Sequence, residues 1–264
     1  MRERLKIIDV HTHLVNSKLL TLYGHNFSNM LCITHYEGFA NNAYAGCEDG
    51  LDAYIAGDER LYLIQCIDIN RDIPAQLAEI QKKLSEGVKI RGVKFYVGYQ
   101  HFYPTNPRFG IVYDFCADNA LVVVFHSGSL LDFENSPSQL KYSHPAHIDE
   151  IATHFLRTKF VISHLGFPHI LETFCIVSKN PNVYTDISGT LDCPSAFDPY
   201  VADLKRAIAY YPDVTDKLMF GTDFGPSEKL REVDLYIKTV ETVFEKPEDR
   251  RKVFYETAKK LYRL

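Results

Sequence analysis

Eight short runs of apolar and β-branched residues, separated by stretches with helical periodicity, constrain this chain more than any other feature. The runs are Leu5–Val10, Met30–Thr34, Tyr62–Ile67, Gly92–Tyr96, Leu121–Phe125, Phe160–Ser163, Val183–Ile187 and Leu218–Phe220. Apolar strands that alternate with helices are the signature of a parallel sheet covered by its crossover connections. Between them, Ile73, Leu77, Ile80 and Leu84 share a helical face that Gly87 is placed to end. Ile148, Ile151, Ala152 and Phe155 repeat the spacing after Pro145, and helical patterns also cover 168–179, 199–211, 231–244 and 248–262. Eight such units in 264 residues predict one domain over 1–264, a distorted (β/α)8 TIM barrel. A doubly wound open sheet would usually place a Gly-rich turn after its first strand, but here Asp9-Val10 runs into His11-Thr12-His13.

Composition narrows the class of partner. With 46% hydrophobic and 24% charged residues the chain can bury a sizeable core, unlike a disordered segment. A net charge of −5 without a dense Lys/Arg cluster lacks the electrostatic footprint of a nucleic-acid binder, so a small molecule is the expected partner. No apolar run approaches the roughly 18 residues of a membrane span. Charges at Arg2, Glu3, Arg4 and Lys6 interrupt the N-terminus before a signal-peptide core develops, which predicts a cytoplasmic protein. The six cysteines, Cys32, Cys47, Cys66, Cys116, Cys175 and Cys193, form no Cys-x-x-Cys pair and are expected to be free buried thiols. The sequence leaves assembly into a homo-oligomer open.

The polar residues that end the apolar runs carry the chemistry. His11 and His13 leave strand one, and residues two apart on a strand share a face, as Asp9 does with them. Lys94, His126, His164 and Asp223 each follow or close another apolar run. Any one alone reads as an ordinary rim residue. Together, at one end of a barrel, unpaired Lys, His and Asp would carry a large desolvation penalty unless they coordinate something. Imidazole and carboxylate donors suit a divalent metal, zinc first, with Mn2+, Fe2+ or Co2+ as alternatives.

Seven segments complete the pattern: Ile8-Asp9-Val10-His11-Thr12-His13, Arg91-Gly92-Val93-Lys94, Val124-Phe125-His126-Ser127-Gly128, Leu140 to Pro145, Ser163-His164-Leu165-Gly166, Asn182 to Gly189, and Phe220-Gly221-Thr222-Asp223-Phe224. In order and spacing the chain resembles the amidohydrolase superfamily. Within it, the similarity is to the amidohydrolase-2, or amidohydrolase-related, branch of metal-dependent hydrolases and nonoxidative decarboxylases such as aminocarboxymuconate semialdehyde decarboxylase. The resemblance implies that His11, His13, His126 and Asp223 hold one metal. It implies that His164 either polarises the substrate or joins a second metal, and that Asp223 also moves a proton. Lys94 stands where two-metal relatives carry a carboxylated, bridging lysine; one metal with an unmodified Lys94 is the expectation, and a Lys94 paired to Asp9 or Asp186 is the plain alternative.

Tyr96, Tyr99, His101, Tyr103 and Arg108 follow strand four, and Lys141 and His144 lie after strand five. Of these, Tyr96, His101, Arg108, Lys141 and His144 are the candidate substrate contacts, a mix suited to a planar or carboxylated molecule. His25, His35, His147 and His154 are assigned to surface or core. The main functional expectation is metal-dependent hydrolysis of an amide, ester or lactone. The second is decarboxylation of a small carboxylic acid, and the third a non-catalytic barrel with a structural metal.

Overall fold

A computed structural model describes residues 6–13, 27–38, 51–131, 137–191, 194–225 and 230–264. Eight strands form one parallel sheet in sequence order: β1 (Ile8–Thr12), β2 (Asn29–Ile33), β3 (Leu61–Cys66), β4 (Ile90–Phe95), β5 (Val122–Phe125), β6 (Lys159–Ile162), β7 (Val183–Asp186) and β8 (Leu218–Met219). The edges meet: Val10 N–H donates to Phe220 O at 3.1 Å, Asp223 N–H to His11 O at 2.8 Å and His13 N–H to Phe224 O at 2.7 Å. The single-domain (β/α)8 barrel expected from the alternation is therefore the fold, with Leu5, His25, Cys47 and Cys193 outside the described residues.

Helices α1 (Leu51–Gly57), α2 (Ile73–Ser85), α3 (Gly110–Asp118), α4 (Ala146–His154), α5 (Ile170–Lys179), α6 (Phe197–Tyr210), α7 (Leu230–Val243), α8 (Pro247–Arg251) and α9 (Thr257–Tyr262) follow in order. Local signals bound α2, of which the Gly87 stop is the one expected from the sequence. Asp72 accepts from Ala75 N–H at 2.8 Å as its N-cap, and Gly87 takes φ 85° just past its end. The helical pattern over 248–262 is not one helix, because the π-helical turn Lys252–Glu256 separates α8 from α9. That turn presents the Val253 carbonyl to Phe220 N–H at 2.9 Å, where a longer β8 would have needed a strand partner. Neither α1 nor α3 was anticipated; α3 follows a short 3-10 turn at Pro107–Phe109 that hides its start.

Alternate residues of each strand feed two layers. Leu31, Ile64, Val122, Val124, Val161 and Met219 pack with Ile8 inside the barrel. Met30, Leu63, Val93, Phe95, Val123, Phe125 and Phe160 pack outward against the helices. Phe95 and Phe125 stack at 5.3 Å between ring centres. Gly92 is required on β4, since a Cβ there would lie 2.5 Å from the Val122 carbonyl oxygen. Cys32, Cys66 and Cys116 are buried thiols outside any disulfide, as expected, whereas Cys175 is exposed on α5. No helix among the described residues is long and apolar enough to cross a membrane.

The outward aromatic layer sets a stability test. Phe125→Ala removes a fully buried ring from it and should destabilise the fold by roughly 3–5 kcal/mol, read as a lower urea midpoint at unchanged slope.

Candidate metal centre and active site

The polar strand ends meet at the carboxyl end of the barrel. His11 Nε2 lies 3.1 Å and His13 Nε2 3.0 Å from the same atom, Asp223 Oδ1. The regular alternation expected to align the two histidines is only part of the reason. The β1–β2 register shifts between Asp9 and Thr12, a bulge that turns the end of β1 so that the rings sit edge to face with centres 5.5 Å apart. Asp223 arrives in the left-handed backbone region at φ 64°, and His164 and Leu165 share it at φ 60° and 53°. Such conformations persist in non-glycine residues where surrounding contacts over-determine them, and here they aim two site side chains inward.

Asp186, at the end of β7, orients the cluster from behind. Its Oδ1 accepts from the backbone N–H of His164 at 3.2 Å and of Ser188 at 3.1 Å, and from the Ser188 hydroxyl. Its Oδ2 faces His11 Nδ1 at 3.6 Å, which turns His11 Nε2 toward Asp223. Both of these buried atoms lack a hydrogen bond. Lys94, fully buried, donates to Ser163 Oγ at 3.1 Å and lies 3.5 Å from His11 Nε2. Of the two carboxylates considered as its partner, Asp9 is committed elsewhere: it accepts from His11 N–H and from Thr222 N–H, each at 3.1 Å, and from the Thr222 hydroxyl at 2.7 Å.

His126 is one imidazole removed from the Asp223 cluster and reaches it through His164, with His126 Nδ1 3.2 Å from His164 Nε2. Proton bookkeeping across this pair is informative. His126 Nε2 faces Ser129 O at 2.9 Å, His164 Nδ1 faces Ser188 O at 3.0 Å, and the two rings face each other. Three contacts require three N–H donors, but two neutral imidazoles carry two, and the Ser188 hydroxyl is given to Asp186. Burial disfavours the extra proton: it pushes His164 down to about 4 and His126 well below the usual histidine value. A cation shared by the facing lone pairs resolves the deficit. The donor set therefore fits a divalent metal.

The remaining charges agree. Burial also lowers His13 and His35. Burial and the Lys94 ammonium oppose a charge on His11, yet Asp223 and Asp186 outweigh them and raise its pKa. Burial likewise opposes the charge on Asp223, but His11 and His164 hold its carboxyl well below the usual range. Burial brings Lys94 down to about 8.

His35, assigned to surface or core from sequence, lies in the buried interior. It is buried directly after β2 with its ring 4.6 Å from His13, so the strand-end rule applied to the other histidines would have found it. Ser188 is legible in the sequence as a motif residue without a role, and Asp186 only as an alternative partner of Lys94. The candidate substrate contacts disperse. Tyr96 is buried in the wall, donating to Thr34 O at 3.0 Å. His101 lines a cleft of about 640 Å3 with Tyr36, Glu37, Asp68, Tyr99 and Gln100, beside the His126 ring that Tyr99 abuts at 4.8 Å. Arg108 is spent on Ile69 O at 3.3 Å, and Lys141 lies over the Tyr142 ring at 4.7 Å. His144 faces Glu172 on the outer rim at 3.6 Å and away from the Asp223 cluster.

The sequence model of the amidohydrolase family, Amidohydro_2, matches residues 8–264. The chain belongs to the amidohydrolase family. A comparison with curated protein sequences finds no significant match. Among solved structures, an uncharacterised TIM-barrel protein from Bordetella bronchiseptica is 19% identical with a TM-score of 0.72, covering 97% of this chain and 98% of that one. A 5-carboxyvanillate decarboxylase from Sphingomonas paucimobilis is 12% identical with a TM-score of 0.66, covering 98% and 99%. A dihydroorotase from Campylobacter jejuni is 18% identical with a TM-score of 0.59, covering 98% and 83%. At these identities the likeness is one of fold, and this family's fold serves both lyase and hydrolase neighbours.

Gly189 gives a test of the site's tightness. At φ 64°, it lies where a Cβ would come within 2.5 Å of His164 Nδ1 and 2.8 Å of Asp223 Oδ2. Gly189→Ala should weaken divalent-metal affinity by 10- to 100-fold, the range for disturbed support of ligands, measured by competition with a chromophoric chelator.

Proposed function

We propose that this amidohydrolase is a metal-dependent hydrolase that adds water to an amide, ester or lactone of a small molecule, with one metal at the barrel mouth. The observation that carries the reading is the division of Asp223. Its Oδ1 faces both His11 and His13, while Oδ2 lies against Gly189 and the side chain is 32% exposed. One oxygen is thus anchored and the other is in position to handle a proton.

His11, His13, His126 and Asp223 would hold the metal, zinc by donor type, and a bound divalent cation supplies Lewis acidity and a water whose pKa falls toward about 7. Asp223 takes the proton of the attacking water and returns it to the leaving nitrogen or oxygen, so the bond broken gains the hydrogen and hydroxyl of one water. His164, kept neutral by burial and with Nδ1 turned to Ser188 O, would present its Nε2 lone pair beside His126 to the same cation. Asp186 positions both His11 and His164. Lys94, unmodified, keeps positive charge against the inner side of His11 and disfavours a second cation there. The cleft beside Tyr36 and Tyr99 receives the substrate. Its carboxylates Glu37 and Asp68, and the diversion of Arg108 and Lys141, favour a neutral amide or ester over a substrate clamped by its own carboxylate.

The decisive variant is Asp223→Asn, which keeps an oxygen donor and removes the proton acceptor. Against a panel of small amides, esters and lactones, kcat should fall by about 10²- to 10⁴-fold while the thermal unfolding midpoint is retained. Near-normal turnover would exclude Asp223 as the base. Release of carbon dioxide without net hydration of the substrate would instead assign the chain to the decarboxylases.

A further inference from the structure

We propose that His144, His169 and Glu172 form a second divalent-cation site of the zinc type on the outer rim of the barrel, separate from the Asp223 cluster. One donor atom from each residue lies within 4.8 Å of the others. His144 Nε2 is 3.6 Å and His169 Nδ1 3.8 Å from Glu172 Oε2, and the two rings are 4.3 Å apart. Neither distance is a hydrogen bond. Both are close to the about 3.3 Å that separates two ligands of a tetrahedral zinc with bonds near 2.0–2.1 Å, so a contraction of a few tenths of an ångström brings each imidazole to ligand spacing from the carboxylate.

The three residues come from two braced segments. His169 and Glu172 sit one helical turn apart at the start of α5, with His169 N–H donating to Gly166 O at 2.9 Å and Thr173 N–H to His169 O at 2.9 Å. His144 follows Ser143, whose hydroxyl donates to Gly128 O at 2.7 Å and whose carbonyl accepts from Gly128 N–H at 2.8 Å. Side chains between 36% and 42% exposed leave room for water as a fourth ligand. A solvent-screened His–Glu pair contributes little to stability by itself, whereas two imidazoles and a carboxylate converging on one point are a zinc donor set. Ala146 N–H points at His144 Nδ1 across 3.4 Å, and this weak contact yields when Nε2 takes the ion.

Occupancy would have a consequence for the centre inside the barrel. The segments being tied are the one that ends the His126 loop and the one that carries His164, already joined by Ser129 N–H to Phe167 O at 2.7 Å. Zinc on the outer rim stiffens that junction.

The test is zinc stoichiometry by equilibrium dialysis against Zn2+ for the full-length chain and for His169→Ala and Glu172→Gln. The wild-type protein should bind one equivalent more than either variant, or bind that equivalent at least tenfold more tightly, and zinc should raise its thermal midpoint further than theirs. Because the difference between proteins is read, the result does not depend on how many ions the barrel mouth holds. Glu172→Gln preserves size on an exposed turn, so it reads the site even where His169→Ala disturbs the loop. Equal zinc binding by the wild type and Glu172→Gln, within twofold in affinity, overturns the proposal.

Discussion

The carboxylate of Asp9 holds the seam on which the site depends. It is wholly buried and accepts hydrogen bonds from the backbone of His11 on β1 and from the backbone and hydroxyl of Thr222 just beyond β8. A buried carboxylate with several donors is stable as the anion, and removing it would strand those donors. Its partners are the neighbours of His11 on one side and of Asp223 on the other. The same contact that closes the barrel therefore fixes the 3.1 Å distance between those two side chains. Closure of the fold and assembly of the centre are one event.

Within that frame the centre balances charge rather than pairing it. Two carboxylates, Asp186 and Asp223, stand against the single ammonium of Lys94, while most of the imidazoles are held neutral by burial. Neutral imidazoles present lone pairs, which is the state a metal requires and the state an ion-pair network would not choose. Three hydrogen-bond positions shared by two rings at His126 and His164 are a deficit that protonation fills poorly in a buried site. The arrangement is thus better matched to a cation than to water or to an extra proton.

Much of this was legible from the sequence, and the limits have physical causes. The apolar runs identify all eight strands because a strand covered by helices must be apolar on both faces. Their ends shift by one to three residues: β1 runs on through the polar His11 and Thr12, whereas most of the other strands stop one residue before the apolar run does. Helix α3 was missed because Pro107 and the 3-10 turn read as loop, although Phe109, Val112 and Tyr113 anchor it. The strand-end rule selects His11, His13, His126, His164 and Asp223, and applied to β2 it would also pick out the buried His35. The basic residues chosen as substrate contacts illustrate a different limit. Whether Arg108 turns toward the cleft or toward Ile69 O is decided by a carbonyl 39 positions away, which no local pattern encodes.

The shortness of β8 shows how the fold obtains the geometry of the candidate site from a backbone irregularity. A strand that ends at Met219 leaves Phe220 without a full ladder, and the π-helical turn in the C-terminal helix supplies the missing acceptor through Val253 O. Relieved of the sheet, the chain passes through Gly221 and Thr222 and enters the left-handed region at Asp223, whose N–H then finds His11 O at 2.8 Å. A regular β8 would carry residue 223 straight on along the barrel axis, with alternation alone deciding where its carboxylate pointed. The bend instead brings Oδ1 back over β1, within reach of both histidines, and leaves Oδ2 beside Gly189, where only a residue without a side chain leaves space. The irregular turn at the far end of the sequence is therefore part of the centre's construction, two helical segments away from any residue that touches it.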